Sequence, residues 1–167
     1  RQDEISDWIA ADVYGTVVHQ VFQQVYDRLS HREAADSQDD SEVCNTADDI
    51  NRVLASKTLI NNLIVTAIHE HHNKLGKDDL TPLHGEAKIV GMLIEQYVRH
   101  ALQFDAGECP IYYCAGEKDI RRWLTLRGID SDGDEITTGF NFTGIIDRID
   151  RTGGTGTPGV LRIVDYK

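Results

Sequence analysis

Between residues 11 and 29 the apolar side chains Val13, Val17, Val21, Val25 and Leu29 return every fourth position, with Tyr14, Val18 and Phe22 beside them. That spacing lays one stripe along a helix and predicts α-helix over 11–29. Thr46 followed by Asp49 is a helix-start signature and predicts a short helix over 47–54. A further helix is predicted from Lys57 to Lys74, buried through Leu59, Leu63, Ile64, Ala67 and Ile68 and closed by Gly76 and the aspartates after it. A last one runs from Gly85 to Phe104 on Ile89, Leu93, Gln96, Tyr97 and Leu102. From Gly107 onward the helical period is gone. Strands are predicted over 109–116, 120–128, 137–150 and 160–167, with turns at the Asp130–Glu135 stretch and the glycine-rich 153–159.

Helices followed by a strand meander, with no internal repeat, predict an α/β fold of the α+β kind. Its helices would pack on one face of a small mixed β-sheet, with 1–167 forming a single domain. The opening Arg-Gln-Asp and the stop inside the last strand, at Lys167, read as a fragment truncated at that lysine.

Charge narrows the partners. Lys plus Arg is 17 against 28 Asp plus Glu, for a net charge of -11. Residues 1–108 hold 9 of the basic and 19 of the acidic side chains, and 33–49 alone hold seven acids and no Lys or Arg, as a solvated loop would. Such a chain captures DNA poorly by charge alone. No apolar run approaches the ~20 residues of a membrane-spanning helix, so no membrane partner is expected. No basic segment followed by an apolar core opens the sequence, so no signal peptide is expected. Cys44, Cys109 and Cys114 form no CxxC and cannot all pair. They point to a reducing, cytoplasmic compartment.

Candidate chemistry sits at Gly144-Ile-Ile-Asp147-Arg148-Ile-Asp150 and Ile163-Val-Asp165-Tyr166-Lys167. In each strand an acid follows an apolar pair, and a buried carboxylate is costly unless paired or metal-bound. Two strands joined by a short turn can lie side by side, so that Asp147 and Asp165 share one divalent cation. Lys167, two residues after Asp165, falls on the same face. The plainer reading is a set of weak surface ion pairs. Asp150 points to the opposite face from Asp147 and reads as structural, paired with Arg148 or Arg151. His69-Glu-His-His72 misses the H-E-x-x-H spacing and reads as a solvated helix end. Gly153-Gly-Thr-Gly lacks the Lys-Ser/Thr of a phosphate-binding loop and no helix follows it.

The two strand motifs resemble the core of the PD-(D/E)XK nuclease superfamily, in particular the nuclease domain at the C-terminus of RecB- and AddB-type helicase-nucleases. Gly15-Thr-Val-Val-His19, with Tyr26 on the same helix, resembles that branch's Gly-x-x-x-His signature, and the helix between Gly85 and Asp105 resembles its helical segment. The likeness spans about residues 8–167. The branch's Gln-x-x-x-Tyr helix would fall after Lys167. Three scattered cysteines do not support the four-cysteine iron–sulfur cluster of some AddB-type members.

The resemblance implies a restriction-endonuclease-like core and a Mg²⁺- or Mn²⁺-dependent deoxyribonuclease. Asp147, Asp165 and Lys167 would be catalytic, with Lys167 orienting the attacking water. His19, Asp147, Asp165 and the carbonyl of Tyr166 would hold the metal. His19 is equally a polar edge residue of an amphipathic helix. Gly15, one turn before it, would leave its ring unshielded. Glu117 stands where the branch often carries an acid, and a surface turn explains it as well. The implied substrate is DNA, as single-stranded ends met in recombination and repair. The implied partner is a helicase region of the same chain or of another subunit, in a bacterial cytosol. The alternative is an inactive nuclease-fold module that binds DNA ends or a helicase.

Overall fold

A computed structural model describes residues 9–30, 42–76, 78–129, 131–153 and 159–166. Helix α1 spans Ala11–Leu29, as predicted, and buries Val17, Val18, Val21, Phe22 and Val25 of the expected stripe together with Tyr26, while Val13, Tyr14 and Leu29 are only partly buried. Helix α2 spans Ala47–Ala55 and starts on a complete Thr46–Asp49 capping box. Helix α3 spans Leu59–Ile68 and winds on through a π-helical turn, His69–Asn73. Lys74, at φ 57°, ends it in a left-handed cap.

Helix α4 spans Gly85–Gly107 and presents a different face from the expected one. Ala87, Gly91, Ile94, Val98 and Leu102 are buried, whereas Ile89 and Leu93 are exposed. The reason lies at Gly91, where a Cβ would stand 3.1 Å from Leu83 and 3.6 Å from both Ile64 and Ile68. The missing side chain lets α3 press against α4 along that line. Apolar residues on two faces of one helix leave the period ambiguous, and packing decides.

The sheet holds strands β1 (Val43–Asn45), β2 (Ile111–Ile129), β3 (Glu135–Thr152) and β4 (Val160–Val164), in that order. The predicted strands 109–116 and 120–128 are one strand, β2. Every described pairing is antiparallel, so the sheet is not of mixed direction. The connections from β2 to β3 and from β3 to β4 are too short for the crossover a parallel pair needs, whereas β1 reaches β2 only through helices α2 to α4. The last strand stops at Val164 rather than 167. Strand β1, inside the acidic stretch read as loop, went unforeseen because three residues carry no period. Of that stretch, residues 33–41 lie outside the described residues.

One core joins the two halves: Phe22, Tyr26, Ile60, Ile64, Ile94 and Leu102 from the helices meet Ile111, Tyr113 and Tyr166 from the sheet region. The outer parts of β2 and β3 leave this core as an exposed two-stranded arm. The architecture is thus α+β, as the order of elements predicts. No helix among the described residues is long and apolar enough to cross a membrane.

Candidate metal centre

Strand β3 carries two functions on alternate residues. Arg148 and Asp150 point into the core, and Asp147 points the other way. Arg148 donates to both oxygens of Asp105, at 2.8 and 3.2 Å, and its Nε lies 2.9 Å from Asp150. Arg162 of β4 donates to Asp150 at 2.7 and 3.0 Å and to Asp105 at 3.3 Å. Tyr26 also donates to Asp105. The Arg148 guanidinium lies 4.3 Å over the Tyr26 ring. Two cations and two anions thus balance inside the core, tying α1, α4, β3 and β4 together. Asp150 pairs with Arg148 as expected. Arg151 goes instead to Glu42.

On the opposite side, strands β3 and β4 are neighbours. Their register pairs Arg148 with Val164, which brings Asp165 alongside Asp147 just past the end of β4. The Asp165 carboxyl lies close enough to raise the pKa of Asp147, adding to the effect of burial. The amide of Tyr166 donates to Asp147 Oδ2 at 2.7 Å. Asp147 is buried and Asp165 exposed. Lys167 lies outside the described residues.

Helix α1 brings His19 to this spot. Its Nδ1 stands 3.3 Å from Asp147 Oδ1 and 3.7 Å from Glu117 Oε1. Its Nε2 lies 3.0 Å from the carbonyl of Tyr166. A carbonyl can only accept, so Nε2 carries the hydrogen. In the neutral ring Nδ1 then holds the lone pair, and it faces the two acids. Tyr166 therefore fixes both partners: its amide holds Asp147 and its carbonyl orients His19. Phe22 stacks flat on its ring, with centroids 4.0 Å apart.

Glu117 is a member of this cluster rather than part of a surface turn. It stands opposite Asp147, between the pairs Gly116–Arg148 and Lys118–Ile146. A register irregularity between Tyr113 and Ala115 shifts the strand just before it. Glu117 itself adopts φ 47°, a left-handed conformation that is strained for a residue with a side chain. Gly116 beside it makes room for the Tyr113 hydroxyl, which a Cβ there would meet at 2.3 Å. One signal in the sequence could have found the pairing. Counting down both strands from the aspartate-rich turn sets Glu117 against Asp147.

His19, Glu117 and Asp147 each offer a ligand atom within 4.8 Å of the others. Burial is the first cause that raises the pKa of both acids. At Glu117 the Asp147 charge adds to it, and at Asp147 the Asp165 carboxyl does. Crowded, partly desolvated carboxylates beside an imidazole nitrogen make a donor set suited to Mn²⁺ or Mg²⁺. Above the cluster opens a groove of about 880 Å³, walled by Gly15, His19, Gln20, Gln23, Glu70 and Glu117.

The His69–His72 run has another role. His69 is buried, with Nε2 2.7 Å from the Thr81 carbonyl and Nδ1 2.7 Å from the Asn73 amide. Both ring nitrogens serve packing, so this is no solvated helix end at His69. His71 bonds Gln20.

The sequence model of the PD-(D/E)XK nuclease superfamily matches residues 2–167 of the chain. No curated protein and no solved structure matches it.

Proposed function

The chain belongs to the PD-(D/E)XK nuclease superfamily, and from that premise we propose that it is the metal-dependent DNA-cleaving domain of a RecB- or AddB-type helicase-nuclease. The observation that carries this is the meeting of His19 with Asp147 and Glu117, from three separate elements, beside Asp165. A histidine that reaches the acids from α1 supports the RecB- or AddB-type reading.

In this reading Asp147, Asp165 and His19 hold the metal, and Glu117 joins them. Mg²⁺ or Mn²⁺ bound there supplies positive charge to the phosphate as the bond to the leaving oxygen breaks. The chain's own residues prepare the site. Tyr166 holds one carboxylate and one imidazole in place; its carbonyl, expected from the resemblance to bind the ion, is taken by His19 Nε2 and orients that ring instead. Lys167 orients water for attack on phosphorus. Residues 1–167 act as one domain.

The substrate is DNA, taken as single-stranded ends during recombination and repair. The net charge of -11 suits a domain that receives its strand from helicase regions rather than capturing it. The reducing bacterial cytosol fits three free cysteines.

Titration of Mn²⁺ and Mg²⁺ against wild type and Asp165→Ala, read as DNA cleavage, tests the proposal. The wild type cuts only with metal and the variant does not cut. A variant that cuts at the wild-type rate overturns the assignment. A wild type that binds DNA ends and never cuts favours an inactive end-binding module.

A further inference from the structure

A second hollow opens beside the metal centre. It holds about 400 Å³ and is walled by Tyr14, Gly15, Val18, His19, Tyr97 and Tyr166. It shares Gly15 and His19 with the groove above the acids, but its other walls are aromatic and aliphatic. Tyr14 and Tyr97 are half-buried, so part of each ring remains open. Tyr97 is braced from behind by Phe22, edge to face at 5.8 Å. It shares the hollow's wall with His19 and Tyr166 of the metal centre.

We infer that this hollow receives the unpaired base of the nucleotide whose phosphate lies at the metal centre. The inference rests on the nuclease reading and extends it to substrate choice. His19 and Tyr166 belong to both the metal centre and the hollow's wall. A base seated there would be linked through its own sugar to a phosphate at the acids. Among the parts of a nucleotide, the base alone is flat and apolar on its faces and fits between aromatic rings. Tyrosine faces bind any base by stacking, without reading sequence. A base within a duplex is stacked and paired, so it cannot enter without leaving the helix. The hollow therefore favours single strands and frayed ends over closed duplex.

Gly15 keeps the entrance open. A Cβ there would meet no atom within 4 Å, although the position lies mid-helix, where glycine costs about 1 kcal/mol relative to alanine. A larger residue is thus compatible with α1 and would project into the space a base must cross.

The test uses oligonucleotides with 2-aminopurine at one end, single-stranded or in blunt duplex, titrated with the full chain in Ca²⁺. Fluorescence reports stacking, and the same samples in Mn²⁺ report cleavage. Wild type quenches the single strand and leaves the already low duplex signal unchanged. Tyr14→Ala, Tyr97→Ala and Gly15→Leu each weaken single-strand binding about tenfold and relieve the quench. Tyr97→Phe keeps both, because the ring and not the hydroxyl does the stacking. Thermal melts confirm that Gly15→Leu folds. Alanine and leucine variants that bind and quench as wild type does overturn the inference, as does a wild type that leaves the single strand bright. Quenching without cleavage in Mn²⁺ upholds the hollow and refutes the nuclease reading. Cleavage with quenching that ignores Tyr14 and Tyr97 does the reverse.

Discussion

The backbone amide of Tyr166 donates to Oδ2 of Asp147 at 2.7 Å, joining the end of β4 to the middle of β3 through a side chain instead of a ladder bond. Asp147 therefore has two tasks: it accepts from the backbone and it faces His19. Asparagine can do the first and not the second. Asp147→Asn is expected to lose metal binding and keep the fold. The raised pKa of Asp147, caused first by burial, means its charge opposes folding at neutral pH without metal. The variant's metal-free Tm should rise by about 2 °C, while the further rise that Mn²⁺ gives the wild type disappears. Calorimetry with and without Mn²⁺ checks both.

Glu117 offers a cleaner separation of stability from function. Its φ of 47° suits glycine and strains any residue with a Cβ. Glu117→Gly should stabilise the fold by about 1 kcal/mol and weaken Mn²⁺ binding. Urea unfolding and calorimetric titration read the two effects independently. A variant less stable than wild type would show that the strand, not the site, demands this conformation.

Proton competition should govern metal affinity. Asp147 and Glu117 both hold their protons to a higher pH than ordinary carboxyls, with burial as the first cause in each. A cation must displace those protons. Affinity for Mn²⁺ is expected to climb as pH rises through the raised pKa values and then level off. The metal-free protein goes the other way. These groups favour the fold most below the unfolded carboxyl pKa of about 4, and that contribution is lost as pH rises through the folded values. Titrations at several pH values, beside melts without metal, should show the opposite slopes.

The buried charges behind the site set a larger scale. Asp105→Ala removes the shared partner of Arg148, Arg162 and Tyr26. It leaves two guanidiniums sharing Asp150, and the loss should be about 3–5 kcal/mol. Urea denaturation measures it. A loss under 1 kcal/mol would mean that the core solvates Arg148 by other means.

How much of this could be read beforehand depends on the range of each interaction. Helix α1 was legible residue for residue, because one side of it is apolar at a steady four-residue spacing. The adjacency of Asp147 and Asp165 was legible from apolar lead-ins and a short connecting turn. Glu117 was ambiguous, since a local shift in β2 and a left-handed φ aim its side chain, and neither has a compositional signature. The Asp105–Arg148 pair joins residues 43 positions apart, and no local pattern announces it. The face of α4 was misassigned because apolar residues line both of its sides and only the contact at Gly91 chooses between them.

Asp147 and Arg148 are consecutive, and one looks out at the cluster while the other is locked in the core. A pleated strand has no intermediate setting between these two directions. If β3 slipped by one residue against its neighbours, a guanidinium would stand where the metal ligand belongs, and a carboxylate would be forced among Tyr26, Tyr166 and Asp105. The slipped pairing would be inactive and electrostatically prohibitive together. The arrangement thus proofreads itself: a molecule whose sheet has closed in the wrong register cannot also keep its core, so the chain that folds at all turns Asp147 toward the cluster.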